Sequence, residues 1–284
     1  MQKIVAFIDG SAYGESVCDH AAWLAASGNL PVDLVHVLGR REAGSVPADL
    51  SGNLALGARS ALLEELARHD EARARLARAR GHAILEDARS RLAAAGVSAG
   101  QDLLRSGDII ETVEEFGTSA SVLVIGKRGE GADFAKGHLG SNLERILREA
   151  SRPVLVASRA HRTIGTAVIA WDNGPSARKA VEFMALNAPF SGLACHLLQA
   201  GRETPEMHAA IEAATARLSR AGLRASHEIR EGEPEEVIAA AVTARDAGLL
   251  VMGAYGHSRI RSLFIGSTTS EMVRSCKVPV MLFR

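Results

Sequence analysis

Cysteine is scarce in this sequence, and its pattern excludes several kinds of site. The three cysteines, Cys18, Cys195 and Cys276, are scattered over 284 residues without a C-x-x-C pair. Disulfide frameworks and structural zinc sites both need clustered or regularly paired cysteines. The pattern indicates a reducing compartment and favours three small core residues.

Long apolar runs and an excess of charge of either sign are also lacking. Apolar runs stop after roughly five to eight residues, whereas a membrane-spanning helix needs ~20. Asp9 follows the first run too early for a secretory signal peptide, so we expect a cytoplasmic protein without membrane association. The 33 basic residues balance 33 acidic ones. This balance argues against a nucleic-acid-binding protein, which normally needs a basic surface.

Common catalytic motifs are missing as well. The sequence contains no G-x-x-x-x-G-K-[ST], G-x-G-x-x-G, H-E-x-x-H or G-x-S-x-G motif and no EF-hand loop. These absences argue against a P-loop ATPase, an ordinary dinucleotide-binding domain and the common zinc and serine hydrolases. We therefore predict no catalytic residue and no metal ligand, and we interpret His36 and His196 as hydrogen-bonded strand histidines.

What the sequence does contain is an internal repeat. A strand, a glycine-spaced loop, Gly-Ser, a helix and a Pro-led strand occur over residues 122–158 and again over 249–283. The repeat extends to the N-terminal part of each half, where Asp9 aligns with Asp172 and His36 is aligned with His196. Repetition of a whole unit predicts tandem domains over 1–158 and 165–284, divided by the polar stretch 159–165.

The two halves differ mainly by an insertion in the first. Corresponding residues are 163 positions apart at Asp9 and Asp172 but 125 apart at Gly107 and Gly232. The first half therefore holds about 38 extra residues, at roughly 40–80. The segment begins with loop-forming residues, and its later part is rich in Leu, Ala, Glu and Arg. A solvated amphipathic helix explains this composition, and a partner-binding surface is the alternative.

The repeated pattern also predicts the fold class. Eight short strand candidates are almost wholly apolar, as expected for parallel strands buried on both faces. Helix-forming stretches such as 83–95 and 207–221 lie between them. Strands alternating with helices predict an α/β protein with two tandem doubly wound, Rossmann-like domains and mainly parallel five-stranded sheets. Ligands of such sheets bind at the carboxyl ends of the strands, where Asp9, Asp172, Gly126 and Gly253 fall.

The glycine loops have the composition of a phosphate site. Glycines at a strand end let the backbone approach a ligand closely. Gly266, Ser267 and Thr268 begin a helix, where backbone N–H groups and the helix dipole favour an anion. A helix cap with ordinary turn glycines is the alternative for one loop, but recurrence in both halves favours the phosphate site.

In these motifs the chain resembles the universal stress proteins in their tandem two-domain form. The resemblance covers nearly the whole sequence except the insertion. Its signature, Gly, two residues, Gly, nine residues and Gly-Ser, accompanies ATP or AMP binding in members that bind nucleotide. The resemblance implies an adenine nucleotide alpha hydrolase-like fold and a bound ATP or AMP, with or without Mg²⁺. The implied second-half site consists of Asp172, Leu197, Gly253, Gly256, Gly266, Ser267 and Thr268.

The first half departs from the signature, because ten residues instead of nine precede its Gly-Ser pair. We therefore rank its site below that of the second half. Either the loop absorbs the extra residue as a bulge, or this half has lost nucleotide binding or changed its ligand. The implied first-half site consists of Asp9, Val37, Gly126, Gly129, Gly140, Ser141 and Asn142.

The sequence leaves three functions open. The leading hypothesis is a stress-response protein in which nucleotide acts as a stabiliser or switch. A slow metal-dependent ATP hydrolase and a nucleotide-independent interaction protein using residues 40–80 are the alternatives. By the same resemblance, the terminal strands of the halves pair antiparallel about a pseudo-two-fold axis, and a homodimer of whole chains is an additional possibility.

Overall fold

Strands and helices alternate along both halves of the chain. A computed structural model describes residues 3–26, 28–39, 56–129, 141–254 and 266–284, with the backbone alone for 56–61 and 141. The first half contains β1 (Lys3–Phe7), α1 (Gly14–Ala26), β2 (Val32–Leu38), α2 (Leu56–Ala94), β3 (Ala99–Ser106), α3 (Ile109–Phe116), β4 (Ala120–Gly126), α4 (Ser141–Glu149) and β5 (Val154–Ala157). The second contains β6 (Thr166–Ala170), α5 (Pro175–Leu186), a 3₁₀ turn (Ala188–Phe190), β7 (Ala194–Ala200), α6 (Pro205–Arg220), β8 (Arg224–Arg230), α7 (Pro234–Ala244), β9 (Leu249–Gly253), α8 (Ser267–Ser275) and β10 (Val280–Phe283).

Local sequence explains where several helices begin. The Asp108 carboxylate accepts a hydrogen bond from the Ile110 N–H at the start of α3, and the Thr204 hydroxyl accepts one from the Met207 N–H at the start of α6. Such side chains satisfy N–H groups that have no partner within the helix. No helix among the described residues is long and apolar enough to cross a membrane.

The ten strands of the described residues form one sheet in the order β3-β2-β1-β4-β5-β10-β9-β6-β7-β8. The pairings within each half are parallel, whereas β5 and β10 pair antiparallel. This arrangement confirms the predicted α/β class, the mainly parallel strands and the pairing of the halves through their terminal strands.

The register between β5 and β10 reveals the pseudo-two-fold axis. Met281 lies opposite Leu155, and these residues occupy corresponding positions in the two halves. Val280 pairs with Val156 and Leu282 with Val154, as a rotation about the central pair requires. Read inward from either edge of the sheet, corresponding strands of the two halves also follow in the same order.

Apolar side chains form a core layer on each face of the sheet. One layer lies beneath α1, α2, α5 and α6, and the other lies beneath α3, α4, α7 and α8. The central strands β5 and β10 are buried throughout, while the edge strands β3 and β8 are largely half-buried or exposed. Burial on both faces explains why the inner strands are continuous apolar runs.

The insertion lengthens a helix that both halves possess. Residues 56–94 form the single helix α2 of 39 residues, whereas its counterpart α6 has 16. Residues 62–80 are exposed or half-buried, and regular burial begins at Gly81. A Cβ atom on Gly81 would lie 2.7 Å from Leu104 Cδ1, so glycine allows α2 to approach the sheet there. The loop-forming part of the insertion, 44–53, lies outside the described residues.

The strand register corrects the alignment of His36 with His196. Val5 pairs with Asp33, and its counterpart Val168 pairs with His196. Asp33 is therefore the counterpart of His196 in the repeat, and Gln199 is the counterpart of His36. The misalignment arose because two short apolar strands can be matched in several registers when a histidine is the only landmark.

Candidate functional site

An aspartate ends the first strand of each half and is held there by its own turn. Asp9 Oδ1 accepts a hydrogen bond from the Ser11 N–H at 3.1 Å. Asp172 Oδ1 accepts one from the Gly174 N–H at 2.8 Å. This side-chain-to-backbone turn fixes both carboxylates at the carboxyl ends of β1 and β6, where parallel sheets bind ligands.

A cavity of about 550 Å³ lies at this edge of the first half. Five of the seven residues predicted for the first-half site line it: Asp9, Val37, Gly126, Gly129 and Asn142. Gly140 lies outside the described residues, and Ser141 is described only through its backbone, as the first residue of α4. The fold thus gathers residues from β1, β2, the loop after β4 and the start of α4 around one space.

The cavity wall has an apolar part and a charged part. Phe7, Val35 and Ile125 belong to the core layer beneath α3 and α4 and also line the cavity. The charged part includes Lys127, Arg128, Asp108 and Arg145. A wall of this kind suits a ligand that joins an apolar ring to an anionic group.

The two charged residues on α3 and α4 fix each other. Arg145 Nη2 lies 2.8 Å from Asp108 Oδ2, while Asp108 Oδ1 caps α3. The Arg145 guanidinium is therefore held at the start of α3. Lys127 is half-buried, and burial lowers the pKa of its ammonium.

Gly129 lies against the strand-end aspartate. A Cβ atom at this position would be 2.9 Å from Asp9 Oδ2, closer than real Cβ contacts allow. A larger residue here would displace the Asp9 carboxylate or the loop. This close approach is a structural reason for the second glycine of the repeated motif.

The second half brings most of its predicted residues to the equivalent edge. Asp172 follows β6, Gly253 ends β9, and Gly266, Ser267 and Thr268 begin α8. Gly256 lies outside the described residues. The Thr268 hydroxyl donates to Glu235 Oε1 at 2.7 Å, so a carboxylate from α7 lies beside the first turn of α8.

Leu197 is not brought to this site. It is fully buried in the core layer beneath α5 and α6, whereas the first-half cavity opens toward the opposite layer. By the register of β7 with β6, the counterpart of Val37 is Ala200. Neighbouring strand residues point to opposite faces, so the register error of three residues between Ala200 and Leu197 moves the side chain to the wrong face.

Comparison with known proteins identifies the repeated domain. A model of the universal stress protein family matches residues 1–158 and 164–284. The chain belongs to the universal stress protein family. It is 33% identical to the universal stress protein Slr1230 of Synechocystis sp., over the full length of both chains.

Two solved structures support this fold over the whole chain. A universal stress protein from Archaeoglobus fulgidus matches with a TM-score of 0.70 at 18% identity, covering 99% of this chain and 98% of its own. A putative universal stress protein from Pseudomonas aeruginosa matches with a TM-score of 0.62 at 15% identity, covering 100% and 93%.

The two candidate sites of this universal stress protein differ in charge at corresponding positions. The strand and helix registers match Lys127 with Ala254 and Arg145 with Glu271. On the neighbouring helix, Ile110 of the first half corresponds to Glu235 of the second. The first site is thus the more basic of the two among the described residues. Comparing the aligned halves position by position would have found these residues, whereas the glycine motif alone did not.

Proposed function

We propose that this universal stress protein binds an adenine nucleotide, ATP or AMP, as a stabiliser or switch rather than as a rapidly turned-over substrate. The observation that carries the proposal is the cavity of about 550 Å³ at the carboxyl edge of the first half. Small-molecule sites in proteins commonly measure ~300–1,000 Å³. The lining includes five of the seven residues that the family resemblance implies for nucleotide in this half.

The chemistry of the wall fits such a ligand. Val37 and the neighbouring apolar residues would contact the base, and Asp9 would contact the sugar. Gly129, Asn142 and the first turn of α4 would hold the phosphates, because helix N-termini favour anions. Lys127 lies at the same wall and adds positive charge, while Arg145 is paired there with Asp108.

The loop spacing ranks the nucleotide site of the first half below that of the second, but the cavity leads us to propose nucleotide binding in the first half as well. The extra loop residue lies within 130–140, outside the described residues, and the described wall of the cavity retains the features a nucleotide needs. We propose Asp172, Gly253, Gly256, Gly266, Ser267 and Thr268 as the second site, with Ala200 in the position that Val37 occupies in the first.

The role as a stabiliser has a measurable consequence. A ligand that binds only the folded state stabilises it by about 2.7 kcal/mol when its concentration is 100 times its Kd. A chain that uses nucleotide in this way should show a large rise in melting temperature with ATP. Phosphate release should stay negligible on the time scale of binding.

The first test identifies and counts the nucleotide. Small molecules released from the purified protein by denaturation should contain ATP or AMP by mass spectrometry, at one or two equivalents per chain. Calorimetric titration with ATP should give the same stoichiometry. Neither bound nucleotide nor binding in titration would refute the proposed function.

Substitution of Gly129 tests the first site. In Gly129→Val the new side chain would meet Asp9 Oδ2 and extend into the cavity, so ATP affinity at this site should fall at least roughly tenfold. Gly165→Val is a matched control, since a Cβ atom at Gly165 has no atom within 4 Å. Equal ATP affinity in both variants would contradict the assignment.

Substitution of Gly266 tests the second site separately. A bulky residue at this N-cap of α8, as in Gly266→Val, should remove the second equivalent of ATP without unfolding the domain. The circular dichroism spectrum checks the fold. An unchanged stoichiometry of two would show that ATP does not bind at the start of α8.

One observation favours a second candidate, a protein-interaction role for the insertion. Leu63 and Leu76 are 47% and 69% exposed on the part of α2 that precedes Gly81. Deleting residues 56–77 should then remove an association seen by analytical ultracentrifugation while ATP affinity stays unchanged. A sedimentation profile unaffected by the deletion would argue against self-association through this segment.

A further inference from the structure

Lys127 belongs to the first-half cavity but makes its hydrogen bond to the second half. It directly follows Gly126 at the end of β4 and lines the cavity. Its Nζ atom donates to the carbonyl oxygen of Cys276 at 3.0 Å. Cys276 is the C-cap of α8, the helix whose first turn carries Ser267 and Thr268.

The antiparallel pairing of β5 with β10 explains this contact. Because the halves are related by a two-fold rotation, the carboxyl edge of one half adjoins the amino edge of the other. Helices that cross back between parallel strands end at the amino edge. The site edge of the first half therefore meets the C-terminus of α8, where carbonyl groups lack partners within the helix and attract a cation.

A second contact of the same kind runs in the opposite direction. The Arg284 guanidinium, which follows β10, donates to the carbonyl oxygen of Arg148 in the last turn of α4. Lys179 of α5 donates in turn to the Arg284 carbonyl oxygen at 3.0 Å. Thus α4 and α8, which begin at the two candidate sites, each have a carbonyl group near the C-terminus that accepts a hydrogen bond from a basic side chain of the other half.

We propose that Lys127 couples the two candidate nucleotide sites: its ammonium either caps α8 or turns to an anion in the first-half cavity. A polyphosphate bound in the first half would then weaken anion binding in the second. This coupling rests on the proposed function.

The coupling follows from the two partners that the ammonium can have. A neutral carbonyl group competes poorly with a multiply charged phosphate for a cation in a cavity wall. When Lys127 leaves Cys276, the C-terminus of α8 loses this hydrogen bond, and the helix has only nine residues. A less ordered α8 presents its first-turn N–H groups less firmly. We expect ATP to bind the second site about fivefold more weakly when the first is filled.

Hydrogen exchange of α8 tests the cap without any nucleotide. Lys127→Met keeps the length of the side chain but removes the donor. Amides in the last turn of α8 should exchange roughly tenfold faster in this variant. Lys277→Met is the matched control, because Lys277 is exposed and adjacent to Cys276. Equal exchange in the wild type and Lys127→Met would overturn the proposal.

The same measurement with ATP tests the coupling. In an Asp172→Ala background, which weakens the second site, ATP should speed exchange in the last turn of α8. In the Asp172→Ala, Lys127→Met double variant, ATP should leave this exchange unchanged. ATP binding without faster exchange would overturn the coupling alone. Failure of Asp172→Ala protein to bind ATP would overturn the coupling together with the first nucleotide site.

Discussion

Mild acid should destabilise the packing of α1 against the segment that joins the two halves. His20 of α1 is fully buried, and its Nδ1 atom lies 2.6 Å from the Ser16 carbonyl oxygen. Its ring packs edge-on against His161 of the joining segment, with centroids 4.8 Å apart. His20 Nε2 has no hydrogen-bond partner among the described residues, so a proton added there would have no acceptor.

The size of the effect follows from the pKa. Burial, opposed in part by the Ser16 carbonyl group and Asp19, lowers the pKa of His20 from 6.5 to about 4. The unfolded chain therefore takes up a proton that the folded chain excludes. The contribution of neutral His20 to stability is complete above pH 6.5 and is lost as the pH falls toward 4. At 1.36 kcal/mol per pH unit, the loss amounts to about 3 kcal/mol over this window.

Urea unfolding at pH 7.5 and 4.5 measures this loss. His20→Asn should flatten the pH dependence, because an asparagine amide can still donate to the Ser16 carbonyl oxygen but does not titrate in this range. His82→Asn, at an exposed position of α2, should retain the wild-type pH dependence. If His20→Asn loses as much stability as the wild type on acidification, another group is responsible and the reasoning about His20 is wrong.

Two further predictions concern packing. Phe190→Ala should lower the free energy of unfolding by about 3–5 kcal/mol in a urea titration. The reason is that this fully buried ring contacts both Trp23 of α1 and Phe183 of α5. A change below about 1 kcal/mol would contradict the role of Phe190 in packing between the halves. Deletion of residues 56–77 should change that free energy by less than about 1 kcal/mol, because residues 62–77 are exposed or half-buried; a large loss would mean that the segment packs on the domain.

Strands buried on both faces were predictable from sequence, but the two edge strands were not. Inner strands such as β4 and β9 are continuous apolar runs, so their composition identifies them. β3 and β8 lie at the sheet edges and include polar residues such as Gln101 and His227. Edge strands are only partly buried, and their sequences resemble those of loops.

The residues of the candidate site were predictable where the local backbone conformation favours one residue type. Asp9 and Gly129 satisfy a turn and a close approach, and both requirements leave a local pattern in the sequence. Arg145 reaches the cavity from α4, so its position depends on how that helix packs, and Lys127 follows Gly126 without being part of the glycine motif. Leu197 shows the remaining difficulty, because an error of three residues in register, like one of a single residue, moves a strand side chain to the other face.

The pseudo-two-fold axis between β5 and β10 also determines which residues can differ between the two halves. In a symmetric dimer of identical chains, every substitution occurs on both sides of the axis. Here one polypeptide carries both halves, so Leu155 faces Met281 rather than a copy of itself. The same freedom allows arginine in one half and glutamate in the other, at Arg145 and Glu271. Covalent linkage thus turns a repeated fold into two distinguishable compartments in a fixed one-to-one ratio.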